Sequence, residues 1–122
     1  MTNTRNILLT DDSPIILENL KSIFSDLENI GIIDWAENVE DAKNILTEGE
    51  TDIAVFDIQL PDGTGFELLK WVKSLFPQII VIMFSNNAEE IYREIAKEYG
   101  ADYFFDKSTQ IEELIDTVSS FK

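Results

Sequence analysis

The sequence predicts a single α/β domain built on a parallel sheet with helices on both faces. Three observations carry this expectation. Short apolar runs at residues 7–10, 32–36, 53–56, 79–84 and 102–106 alternate with five stretches of helical apolar period. The runs at 53–56 and 79–84 contain no alternating polar residues, as fits strands buried on both faces. Four of the five runs end on polar side chains: Asp11 and Asp12, Asp57, Ser85, and Lys107.

Taken in order, Ile7 to Thr10 form a buried strand closed by Asp11 and Asp12. Ser13 is placed to cap the next helix, and Pro14 suits its first turn. Ile16, Leu20, Ile23 and Leu27 give that helix one apolar stripe, which stops near residues 29–31. The second strand, ending at Ala36, is weaker and expected near an edge. Asn38 caps a second helix, with Asp41 in a capping-box-like position and Ala42, Ile45 and Leu46 inward. The third strand ends abruptly on Asp57, and Pro61, Gly63 and Gly65 mark a tight loop after it. A third helix follows, with Phe66, Leu69, Val72 and Phe76 on one stripe, and Pro77 ends it. Asn86 or Asn87 is expected to cap a fourth helix, where Ile91, Ile95 and Tyr99 recur at helical spacing, stopped by Gly100. Ser108 or Thr109 is expected to cap the last helix, with Ile111, Leu114, Ile115 and Val118 inward.

Composition narrows the chemistry. The chain has 122 residues, enough for one domain with a sizeable core, and an apolar share of 44% fits a globular protein. No apolar run approaches the roughly 20 residues of a membrane helix, and residues 1–6 lack the apolar core of a signal peptide. A cytoplasmic location is the expectation. With no cysteine and no histidine, thiolate ligands, a Ser-His triad and a His-bound metal are excluded. The formal net charge of -15, with nine Lys and Arg against 24 acids, argues against nucleic-acid binding and leaves solubility or a basic partner surface.

Each polar residue at a strand end is, alone, an ordinary cap or turn former. Together on one rim they are not ordinary. Three converging carboxylates repel one another unless a cation neutralises them. Without His or Cys they select a hard divalent cation such as Mg²⁺. A carboxylate beside such a cation can attack a phosphoryl group, with a lysine and a hydroxyl stabilising the phosphoryl oxygens.

Asp11-Asp12, Asp57 followed by Leu60-Pro61-Asp62-Gly63, Ser85, and Gly100-Ala101-Asp102 leading to Lys107 resemble the receiver domain of two-component response regulators (CheY-like), over roughly residues 7–121. The resemblance implies a doubly wound (βα)5, flavodoxin-like fold with strand order 2-1-3-4-5. It implies that Asp57 is the phosphoacceptor. Asp11, Asp12, Asp57 and the backbone carbonyl of Gln59 would hold Mg²⁺, with Asp12 preferred over Asp11 as direct ligand. Lys107 would pair with the phosphoryl group, Ser85 would swing toward it, and Phe104 matches the aromatic switch position. The partners implied are a sensor histidine kinase or a histidine phosphotransfer protein, with no nucleic acid and no membrane, for a monomer or weak dimer. The readout surface would be the fourth helix, fifth strand and fifth helix.

Residues 1–122 are expected to be one receiver with no output domain. It would be a switch and not an enzyme in its own right, signalling by protein contact or passing the phosphoryl group on. Three positions depart from the family pattern. Ser108 stands where proline often follows the lysine, Asn86 replaces a smaller residue and is expected to crowd the site, and Ser85 replaces threonine. Two rivals remain open. One is a receiver-like interaction module that is never phosphorylated. The other is an aspartate-nucleophile phosphohydrolase, weakened because Gln59 stands where such enzymes carry a second aspartate.

Overall fold

Seven strands and five helices follow one another along residues 3–121, the part of the chain that the computed structural model describes. In chain order they are β1 (Arg5–Thr10), α1 (Pro14–Ser25), β2 (Ile30–Ala36), α2 (Val39–Thr47), β3 (Ile53–Phe56), β4 (Gln59–Leu60), β5 (Gly63–Thr64), α3 (Gly65–Leu75), β6 (Ile80–Ser85), α4 (Glu90–Glu98), β7 (Tyr103–Asp106) and α5 (Ile111–Ser119). Five strands form one parallel sheet in the order β2-β1-β3-β6-β7. This is the expected 2-1-3-4-5 order, because β4 and β5 form a separate antiparallel hairpin. That hairpin is the turn-rich stretch after Asp57.

The sheet divides the core into two layers, and strand alternation assigns the residues. Leu8, Ala54, Phe56, Val81 and Met83 face α2, α3 and α4, meeting Ala42, Leu46, Leu68, Leu69, Val72 and Ala96. Ile7, Leu9, Ile53, Val55, Ile82 and Phe84 face α1 and α5, meeting Leu17, Leu20, Phe24, Leu114 and Val118. The edge strand β2 is mostly part-exposed, as expected. No helix among the described residues is long and apolar enough to cross a membrane.

The helix starts divide into two groups. Ser13 accepts from the Ile16 amide, Asn38 from Asp41 and Thr64 from Glu67, so α1, α2 and α3 are each capped by their own side chain. The expected caps of the last two helices are corrected. Helix α4 starts at Glu90 and α5 at Ile111, and neither has a side-chain cap. The helical spacing of Ile91, Ile95 and Tyr99 does not mark the inward face of α4. Ile91 is 58% exposed, while Ala96 is buried and Tyr92 packs beside it. On α5, Leu114 and Val118 point inward and Ile111 does not. Helix α1 ends at Ser25, short of Leu27, which still packs on the core from the following turn.

Candidate functional site

The sheet registers build the site. Thr10 pairs with Phe56, so the next residues, Asp11 and Asp57, emerge side by side. Ser85 pairs with Asp106, and the Lys107 amide donates to the Ser85 carbonyl at 3.1 Å. Lys107 therefore starts one strand beyond β6 and must reach back across it. Neighbouring strands lie about 4.8 Å apart, so only a long side chain closes that gap. The Lys107 Nζ does so, lying 2.9 Å from Asp57 Oδ2 and 2.5 Å from Asp11 Oδ2.

The remaining lone pairs are held locally. The Ser13 amide donates to Asp11 Oδ1 at 2.9 Å, and the Ile58 amide donates to Asp57 Oδ1 at 2.8 Å. Asp11 and Ser85 are buried, and Asp57 is half-buried. The Ser85 Oγ accepts from the Asn87 amide at 3.1 Å, folding the loop after β6 over its own hydroxyl. Asp12 is exposed, and no hydrogen bond or ion pair among the described residues engages its carboxylate.

Burial pushes the Asp11 carboxyl above its ordinary 3.8, against the pull of Lys107 and of the Ser13 amide. Burial acts to lower the Lys107 ammonium, but the hydrogen bonds it donates to Asp11 and Asp57, with their negative charge, outweigh it and hold Lys107 above its ordinary 10.5. The lysine is therefore charged throughout the neutral range.

Oxygen atoms of Asp11, Asp12 and Asp57 all lie within 4.8 Å of one another. One ammonium faces three carboxylates, so the pocket carries uncompensated negative charge. Its side-chain donors are all oxygens, and Asp12 is open to solvent. This donor set fits a hard divalent cation and offers nothing to a soft one.

Glycine at position 65 is imposed by the site. A Cβ there would sit 1.9 Å from the Asp57 carbonyl oxygen, because α3 begins directly against the Asp57–Ile58 backbone. The Gly65 amide donates to the Ile58 carbonyl at 2.7 Å and fixes that approach. Asp62, at the tip of the β4–β5 turn, accepts from the amides of Val39 and Glu40 at 2.7 and 3.0 Å. The loop leaving Asp57 is thereby pinned to the start of α2.

The structure thus brings together Asp11, Asp12, Asp57 and Lys107, with Ser85 in register on the same rim. Gln59 lies in β4, two residues from Asp57. Phe104 is half-buried, three residues before Lys107. Asn86 is exposed beside Ser85. At Ser108, both the amide and the hydroxyl donate to Asp106 Oδ1, at 2.8 and 2.6 Å. These contacts, the hydroxyl first, hold the Asp106 carboxyl below its ordinary 3.8. The sequence reading passed over Thr64, whose spacing to Glu67 is a recognisable capping signal. The bonds of Asp62 to the α2 amides have no local signal in the sequence.

The family model for the response regulator receiver domain matches residues 7–119. The chain belongs to this family. Receiver domains are the phosphoacceptor switches of two-component systems, they bind Mg²⁺ at an acidic pocket, and they work with histidine kinases or phosphotransfer proteins. The transcriptional regulatory protein GltR of Pseudomonas aeruginosa is 33% identical over 116 residues, covering 93% of this chain and 47% of that protein. The chain spans about half the length of the curated relatives it matches. The non-phosphorylated HemR receiver domain from Leptospira biflexa superposes with a TM-score of 0.86 at 25% identity, covering 98% of this chain and 97% of that one. A CheY-like receiver domain protein from Methanospirillum hungatei gives 0.84 at 26% identity, covering 95% and 91%.

Proposed function

We propose that this receiver domain accepts a phosphoryl group on Asp57 from the phosphohistidine of a sensor kinase or phosphotransfer protein. The observation that carries the reading is the Lys107 Nζ bridging Asp57 and buried Asp11 on the rim that also carries Ser85. The Asp57 carboxylate attacks phosphorus, the phosphorus–nitrogen bond breaks, and the imidazole leaves with that electron pair. Lys107 then shares its charge with a phosphoryl oxygen, and the Ser85 hydroxyl donates to another. The Ile58 amide orients the Asp57 carboxylate for attack. Asp11, Asp12, Asp57 and the Gln59 backbone carbonyl would hold Mg²⁺, which when bound neutralises charge on the phosphoryl oxygens.

The new dianion draws on Ser85 and Lys107, and Phe104 rearranges with them toward a readout on α4, β7 and α5. The domain acts as a switch, in the cytoplasm, with a monomer or weak dimer as its resting state. As a stand-alone regulator it would signal by protein contact or pass the phosphoryl group onward. Within a longer regulator the same rearrangement would act on an attached output domain. The mass of the native protein separates these, since 13.9 kDa is the receiver alone.

The test is intact mass after incubation with Mg²⁺ and acetyl phosphate, beside Asp57→Ala, repeated with a phosphorylated histidine protein as donor. One phosphoryl group gained by the parent and none by the variant is the expected result. No gain from either donor would sink the reading and favour an interaction module that works without phosphate.

A further inference from the structure

We propose that Arg93 is a positioning residue that clamps the two loops around Asp57 in their resting arrangement and so sets how readily the site takes up a phosphoryl group. This rests on the reading of Asp57 as the phosphoacceptor. The guanidinium spends its donors on three separate pieces of chain. Nε donates to the Ala88 carbonyl at 3.0 Å, Nη1 to the Phe104 carbonyl at 3.3 Å, and Nη2 to Gln110 Oε1 at 3.1 Å. Its carbon stands 4.9 Å from the centre of the Phe104 ring. Gln110 Oε1 also accepts from the Asp106 amide at 2.9 Å, so the clamp extends to the residue before Lys107.

The three anchor points bracket the reacting groups. Ala88 is three residues after Ser85. Phe104 is three before Lys107 and Gln110 three after it. Neither loop is held by a helix cap, because the residues preceding α4 and α5 make no side-chain cap bond. Arg93 supplies what the caps do not, and its rigid fork fixes one loop relative to the other. Phosphoryl transfer itself makes no use of Arg93. A phosphoryl group on Asp57 pulls on Ser85 and Lys107 together, and Phe104 cannot leave its place without parting from the guanidinium. Contacts made only in the resting arrangement lower the population of the competent one, and apparent affinity falls by the same factor.

The test reads beryllofluoride affinity in Mg²⁺ by amide chemical shifts around Asp57, with urea melts to confirm folding. Arg93→Met removes all three donors and should tighten binding about tenfold, the usual size of such couplings. Gln110→Glu gives the guanidinium a charged partner while keeping an oxygen for the Asp106 amide, and should weaken binding severalfold. In the double variant the glutamate's effect should vanish. A loss of general stability would shift both single variants the same way, so opposite shifts are the signature of the clamp. If Arg93→Met does not fold, Arg93→Lys, which keeps the charge but loses the fork, takes its place with tightening again expected. Shifts in one direction, or none in a parent that binds, would overturn the clamp. A parent that binds no beryllofluoride would instead overturn the phosphoacceptor reading beneath it.

Discussion

Replacing Gly65 by alanine tests whether the helix packed under Asp57 sets the geometry of the site. The new Cβ would lie 1.9 Å from the Asp57 carbonyl oxygen, 2.9 Å from its carbon and 3.2 Å from the Ile58 Cα. All three neighbours are backbone, so no side chain can swing away. To reach ordinary contact, α3 and the Asp57–Ile58 segment must separate by at least about 1 Å. Overpacking of this kind costs about 1–3 kcal/mol, and the lower entropy of an unfolded alanine chain returns only about 0.4–1 kcal/mol. A net loss of about 1–2 kcal/mol should lower the melting temperature by roughly 4–8 °C. The larger effect falls on function. A 1 Å misplacement of a reacting group costs on the order of 100-fold in rate. Asp57 would move relative to Lys107, which approaches from another strand and does not follow. Stopped-time intact mass with acetyl phosphate, beside thermal melts, reads both effects. A variant that melts lower but is phosphorylated at the parent's rate would refute the link between this contact and the site.

Three further outcomes follow from the same geometry. Asp62→Ala should destabilise the fold by releasing the start of α2. Asp62 is held below its ordinary 3.8 by the Val39 and Glu40 amides, so its stabilisation is present above that pH and lost as pH falls through the lower folded value; urea midpoints of parent and variant should therefore converge in acid. Mg²⁺ at about 100 times its dissociation constant should stabilise the parent by about 2.7 kcal/mol, and Asp12→Asn should lose most of that rise; a rise equal to the parent's would remove Asp12 from the cation site. Asn86→Ala should speed phosphorylation by acetyl phosphate on the order of tenfold, about 1.4 kcal/mol of barrier, if the side chain crowds small donors, and an unchanged rate would dismiss the crowding.

The sheet and the rim were legible because they rest on local, repeated signals. The buried strands Ile53–Phe56 and Ile80–Ser85 announce themselves as unbroken apolar runs, and each hands its next polar residue to one edge. Ser13, Asn38 and Pro14 mark their helix starts in the same direct way. The ion pairs of Lys107 with Asp11 and Asp57 cross a strand and most of the chain. No periodicity reports them, and the resemblance to a family implied for Lys107 only a pairing with the phosphoryl group. The Asp62 clasp on α2 and the Arg93 clamp were illegible for the same reason, since each joins residues with no shared pattern. Ile91 shows that helical spacing cannot tell an inward stripe from an exposed one when the helix rests on a narrow face.

The local rules failed in a particular place. Asn86, Asn87, Ser108 and Thr109 all look like caps, yet none of them caps a helix. The Ser85 hydroxyl takes the Asn87 amide, the Ser108 hydroxyl goes to Asp106, and Gln110 serves Asp106 and Arg93 at once. Polar groups that would have stiffened the starts of α4 and α5 are tied instead to residues adjoining Ser85 and Lys107. By contrast, α1, α2 and α3 keep their own caps, and Gly65 and Asp62 lock the loop after Asp57 against two of them. Local rules are commonly broken where function needs a different arrangement. Asp57, the proposed acceptor, thus sits beside helices that keep their own caps, and Ser85 and Lys107 sit where the loops are held by Arg93 and by one another. On the proposed function, a phosphoryl group at Asp57 would therefore act on α4, β7 and α5 before α2 or α3.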